Sequence, residues 1–160
     1  MSVNKFVPHV LVLPEDDANR QIAVGFQLDI DWVTRMKILP VAGGWTEVLH
    51  RFETDHILEM DKNENRLMIL LIDFDSKDDR LDRARASVPS HLIDRVFVIG
   101  AWTNPEHLRQ TVRESYETIG TLLSHDCRNG TSTTWDHELL RHNEDELDRL
   151  RVLVRSMFYA

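Results

Sequence analysis

Four short apolar runs punctuate the first 100 residues of the chain: His9–Leu13 (HVLVL), Lys37–Val41 (KILPV), Leu67–Ile72 (LMILLI) and Arg95–Ile99 (RVFVI). A strand with one wet face alternates apolar and polar positions. These runs are nearly continuous, as in parallel strands covered on both faces. The segments between them carry the other period. Ala18, Ile22, Ala23 and Phe26 recur about once per turn and form one apolar stripe. Gly43-Gly44 permits a sharp turn, and Trp45–Glu59 follows with Val48, Leu49, Phe52, His56 and Ile57 on the inner face of a helix. SKDDRLDRARA, after the third run, is charge-rich with few apolar anchors and predicts a short exposed helix. The order βαβαβαβ predicts an α/β fold, a Rossmann-like parallel sheet flanked by helices and joined by right-handed crossovers.

From Thr103 onward the pattern is helical. Thr103-Asn104-Pro105-Glu106 starts a helix in one of two registers, as a capping box or with Asn104 as the cap and Pro105 in the first turn. Ser115–Cys127 predicts another helix, broken by Asn129-Gly130 and a threonine-rich loop (TSTT). Asp136–Tyr159 places Leu140, Leu147, Leu150, Val154 and Met157 on one helical stripe. The division expected is an α/β core over 1–112 and a C-terminal helical extension over 113–160 packed on the same domain.

A chain of 160 residues suits one domain, and 42% apolar with 29% charged residues excludes the disordered and low-complexity classes. Charge changes the picture more. With 19 Lys+Arg against 27 Asp+Glu the formal net charge is −8, so a polyanion partner would need a local basic patch or a bound metal. A single cysteine, Cys127, builds no intramolecular disulfide framework. The start, MSVNKFVPHV, lacks the apolar core of a signal peptide, and no apolar run approaches the 18 to 20 residues, roughly, of a membrane span. The expectation is a cytoplasmic protein with no membrane partner.

In an open parallel sheet ligands gather beyond the carboxyl ends of the strands. Here the first run leads into Pro14-Glu15-Asp16-Asp17 and the third into Asp73-Phe74-Asp75. If those strands are neighbours, Glu15, Asp73 and Asp75 share one edge, and like charges brought together there raise one another's pKa or demand a cation. A hard ion such as Mg²⁺ (or Mn²⁺) answers that demand and leaves positions open for phosphate oxygens. Each motif alone also reads as a turn former or helix cap. Asp78, Asp79 and Asp82 among Lys77, Arg80, Arg83 and Arg85 read as a solvated face.

The strand ending in glutamate (HVLVLPEDDAN), the strand with a glycine turn (ILPVAGGWTEV) and the strand ending in Asp-x-Asp (LMILLIDFD) together resemble the Toprim domain, over residues 9 to 110. The glycine turn and compact layout look most like the overcoming-lysogenisation-defect nucleases and their small stand-alone relatives. The resemblance implies a Mg²⁺-dependent phosphodiester hydrolase acting on DNA or RNA, with Glu15 as acid/base or metal ligand and Asp73 and Asp75 as metal ligands. Asp16 stands where the family usually has glycine. Asn19 stands where many of its nucleases have a further acid. Glu106 matches another acidic position of the group, and also fits a capping box. Lys77, Arg80, Arg128 and His137 are candidate phosphate contacts. The acidic total points to a partner protein, such as an ATPase, that supplies nucleic-acid affinity.

Two other readings use the same residues. LVLPEDDANR resembles the first strand of a receiver domain with Asp73 as phosphoacceptor, but that family needs a lysine after its fifth strand and this chain has none beyond Lys77. A Toprim-like scaffold or regulatory protein would keep the acids without catalysis. The cluster His125, Asp126, Cys127, Arg128, Trp135, His137 and His142 invites a zinc site. His137 and His142, however, are five apart and diverge on a helix, where a metal pair wants three or four.

Overall fold

The computed structural model describes residues 2–160. β1 (His9–Pro14), β2 (Met36–Ile38), β3 (Arg66–Leu71) and β4 (Val96–Ile99) form one sheet, every pair parallel, in the spatial order β2-β1-β3-β4. The expected α/β architecture is present, with the first and third runs as the two central strands. The second strand is shorter than its apolar run. Leu39 still donates its N–H to Val12 O at 2.8 Å, but Pro40 has no N–H with which to continue the ladder.

The helices are α1 (Asp17–Asp29), α2 (Trp45–Arg51), α3 (Ile57–Lys62), α4 (Asp78–Ala86), α5 (Pro105–Val112), α6 (Tyr116–Asn129) and α7 (Glu144–Phe158). Val10 and Val12 of β1 face a core built with Ile22, Ile119, Leu150 and Val154, and Leu11 and Leu13 face a second core with Val48, Phe52 and Met60. This alternation is the two-residue period of a strand with helices on both sides. No helix among the described residues is long and apolar enough to cross a membrane.

α2 and α3 are joined without a break by a π-helical turn, Phe52–His56. Phe52 and Met60, eight residues apart, would point about 80° apart on an unbroken α-helix. The extra residue absorbed by the π turn corrects the phase, and both side chains are completely buried.

Helix starts follow their caps. The Asp16 carboxylate accepts the Asn19 N–H at 2.9 Å, Asn104 accepts the His107 N–H at 2.8 Å with Pro105 next in line, and Ser115 accepts the Thr118 N–H at 3.1 Å. The Asn104 register is therefore the one used, and Glu106 belongs to the first turn of α5 rather than to a capping box. The C-terminal helix begins at Glu144, later than its apolar stripe suggests. The Asp126 carboxylate collects the Thr131 hydroxyl and the N–H groups of Thr133, Thr134 and Trp135 at 2.5 to 3.1 Å, winding the chain into a loop. The loop continues on three-residue turns, with His137 N–H on Thr134 O at 3.0 Å, Leu140 N–H on His137 O at 2.8 Å and Asn143 N–H on Leu140 O at 2.9 Å. That loop crosses the end of the sheet, where the Trp102 N–H donates to Leu139 O at 2.8 Å.

α1 and α6 cross at two glycines. A Cβ on Gly25 would lie 1.9 Å from Glu117 O, and one on Gly120 would lie 1.9 Å from Ile22 O. Backbone contact this close brings Thr121 Oγ1 to 3.2 Å from Gly25 O. At the far side of the sheet, the outer edge of β4 is covered by side chains from the start of α7. Asn143 accepts the Gly100 N–H at 3.2 Å and donates to Gly100 O at 3.0 Å. Glu146 accepts the Val98 N–H at 3.0 Å, and Arg149 donates to Val96 O at 3.3 Å.

Gly120→Ala is expected to lose about 1–3 kcal/mol of stability, the usual cost of overpacking a close contact, read as a lower urea midpoint; an unchanged midpoint would refute the helix crossing described.

Candidate active site

The register of β1 with β3 sets Pro14 opposite Leu71, and the Glu15 N–H continues the ladder to Leu71 O at 2.9 Å. One residue further on, the Glu15 carboxylate turns across the strand ends and accepts the Asp73 N–H through Oε2 at 2.6 Å. Glu15 also holds the glycine turn, since its carbonyl accepts N–H groups from Gly43 at 2.9 Å and Gly44 at 3.3 Å. Both glycines have positive φ, 93° and 144°, where a side chain would be strained. Three strand ends are thus tied to one residue.

Asp73 is buried, and its Oδ1 accepts from Asn19 Nδ2 at 2.9 Å. Asn19 is itself buried in the first turn of α1. Below it lies a cavity of about 80 Å³ lined by Val12, Ile22, Ala23, Leu71 and Ile99, among others. A lining so apolar gives water nothing to bond. Burial, aided by the charges of Glu15 and Asp16 and opposed by the Asn19 amide, pushes the Asp73 carboxyl up to about 7. Burial likewise raises Glu15, with Asp16 adding to the effect, while the Asp73 N–H and Arg80 counteract it.

Asp75 departs from expectation. It and Ser76 take positive φ, 51° and 56°, and their N–H groups bond to Thr103 O at 3.0 Å and Trp102 O at 2.8 Å. That turn leaves the Asp75 carboxylate exposed, 3.8 Å from Arg80 and 3.9 Å from Lys77, and not beside Glu15 and Asp73. The three-acid cluster is reduced to a pair plus an outlier. Among the described residues no three His, Cys, Asp or Glu side chains are grouped to hold a metal ion.

Of the predicted phosphate contacts, Arg80 and Lys77 lie at this edge. Arg80 Nη1 donates to Asp73 O at 2.8 Å. Arg128 is elsewhere: it pairs with Asp31 at 3.0 Å, donates to Asp29 O and lies over Tyr159. Asp29 ends α1, whose N-cap Asp16 adjoins Glu15, so Arg128 sits at the opposite end of that helix. His137 turns into its own loop, its Nδ1 accepting the Leu139 N–H at 3.1 Å. The remaining C-terminal residues do not converge either. His125 pairs with Asp29 at 3.0 Å, and burial pushes the Cys127 thiol up to about 11, far from a reactive thiolate. His142 packs against Phe74 and Trp102 with ring centroids 5.1 and 5.3 Å away, and burial pushes it down to about 4. It is a neutral wedge under the Asp73–Asp75 segment.

Two participants escaped the sequence reading. Asn19 stood out only as a missing acid, yet it orients Asp73. Trp45, read as a helix start, carries the guanidinium carbons of Arg80 and Arg83 at 4.9 and 4.8 Å from its ring centroid. The only sequence signal for it is an aromatic directly after a glycine turn. No family model, curated protein or solved structure matches the chain.

Because the folded-state pKa of Asp73 lies near 7 and its ordinary value is 3.8, the neutral carboxyl is the favoured form. Its stabilising contribution is complete below pH 3.8 and is lost as pH rises through 7. Asp73→Asn is expected to raise stability at pH 8 by about 1–3 kcal/mol, the fall being up to 1.36 kcal/mol per pKa unit before partial screening. The gain should shrink towards pH 4. Urea titrations at both pH values test this, and a gain equal at both would contradict it.

Proposed function

We propose that the chain is a Toprim-like, Mg²⁺- or Mn²⁺-dependent phosphodiester hydrolase acting on nucleic acid, working with a protein partner. The observation that carries this reading is the pair Glu15 and Asp73, side by side at the carboxyl ends of the two central strands, with burial opposing charge on both. The donor set fits a hard divalent cation: both groups are oxygen donors of one sign, and Mg²⁺ needs only one or two carboxylates because it keeps several waters. Glu15 and Asp73 would hold such an ion, which would supply charge neutralisation to a scissile phosphate.

The chain's own residues divide the remaining work. Asn19 fixes Oδ1 of Asp73, and that carboxyl would serve as a ligand to the cation. Glu15 commits Oε2 to the Asp73 N–H, so Oε1 is the oxygen left to hold the cation or a proton. Arg80, anchored on the Asp73 carbonyl, and Lys77 offer positive charge to the phosphate. Asp75 positions those two side chains rather than binding the ion. A net charge of −8 leaves bulk nucleic-acid affinity to a partner, such as an ATPase, in the cytoplasm. The alternative of a non-catalytic Toprim-like scaffold draws on the outward turn of Asp75.

The test is cleavage of plasmid, single-stranded DNA and RNA in Mg²⁺ or Mn²⁺, with and without candidate partners. Glu15→Gln and Asp73→Ala are each expected to reduce the rate by about 100-fold or more while circular dichroism stays unchanged. Asp75→Ala is expected to cost less, about tenfold. No metal-dependent cleavage under any condition would remove the reading.

A further inference from the structure

Trp45 and Arg83 stand beside the carboxylate pair and take no part in the chemistry assigned to it. Arg83 is exposed on α4, over the half-buried indole at 4.8 Å, and makes no hydrogen bond or ion pair with another side chain among the described residues. Arg128 over Tyr159 is paired with Asp31 and Arg149 over Phe97 with Glu146. Arg109 over Tyr116 has its donors free among the described residues, as Arg83 does, but it lies on α5 and not beside the glycine turn. Arg83 is held in place by the ring while its donors remain free.

The ring is fastened to both acids. Trp45 follows Gly44, whose N–H reaches Glu15 O at 3.3 Å, and Arg80, also over the ring at 4.9 Å, donates to Asp73 O at 2.8 Å. Arg80 Nε is buried without a partner. A guanidinium backed by an indole is a planar, cationic surface. Unpaired bases stack on such surfaces while the neighbouring phosphate takes the N–H groups. A duplex offers phosphates only and needs an extended cationic track. α4 provides none, because Asp78, Asp79 and Asp82 are exposed between its basic residues.

We propose that Trp45 and Arg83 form a subsite for one unpaired nucleotide, with its base on the guanidinium and indole layer and its phosphate on Arg83, which makes single-stranded polynucleotide the substrate class of the adjoining site. This rests on the reading of Glu15 and Asp73 as a phosphodiester site.

Binding is measured by fluorescence anisotropy in EDTA, so that it does not depend on metal, using a short labelled oligothymidylate, an oligouridylate and a duplex of equal length. The single strands should bind about tenfold or more tighter than the duplex. Trp45→Ala should weaken single-strand binding about tenfold, within the range for one lost base stack, whereas Trp45→Phe, which keeps a ring and guards against misfolding, should stay within about threefold. Arg83→Gln should weaken binding and lower the salt slope by about 0.7. The two single strands distinguish DNA from RNA. Equal binding of duplex and single strand, or wild-type binding by both Trp45→Ala and Arg83→Gln, overturns the subsite even if Asp73-dependent cleavage is found. Trp45-dependent single-strand binding without any metal-dependent cleavage keeps the subsite and overturns the hydrolase reading.

Discussion

The parallel pairing of β1 with β3 governs the carboxyl edge of this molecule. With Pro14 opposite Leu71, Glu15 emerges next to Asp73, and a slip of one residue would separate them. The same slip would turn Val10 and Val12 towards α2 and Leu11 and Leu13 towards α1, so two differently shaped cores resist it. The position of the acids is therefore decided by apolar packing several residues away. The short bond from the Asp73 N–H to Glu15 then closes the edge with a polar lock, in which each acid depends on the other.

The strands were legible because runs such as LMILLI are continuous, a pattern only a doubly covered sheet requires, and the acids were legible because they follow those runs directly. Asp75 was misplaced because its direction depends on the carbonyls of Trp102 and Thr103, which come from the next strand's loop and leave no local mark. The delayed start of α7 is also unmarked locally: Leu140 continues the apolar stripe, but its N–H bonds to His137 O and that of Asn143 to Leu140 O, three-residue turns that keep the chain out of an α-helix until Glu144. Periodicity records which side is buried. It does not record whether a helix or a loop buries it, as Leu139 and Leu140 show, both buried outside any α-helix.

Burial raises the pKa of both acids at this edge and costs stability. An apolar cavity beneath Asn19, a neutral His142 beneath Phe74 and the packed strand ends remove solvent from one side of the acids. The tension is confined to a small region. Elsewhere the buried carboxylates of Asp126 and Glu146 are satisfied by backbone N–H groups.

The side chains of Asn143, Glu146 and Arg149, at helical spacing, occupy the bonding positions that a fifth strand would fill beside β4. A sheet edge closed in this way is no template for another chain's strand. It also means that the amides of Val98 and Gly100 can exchange with solvent only when α7 lifts away, so the last helix and the central sheet should open as one foldon and not as a domain with a tail.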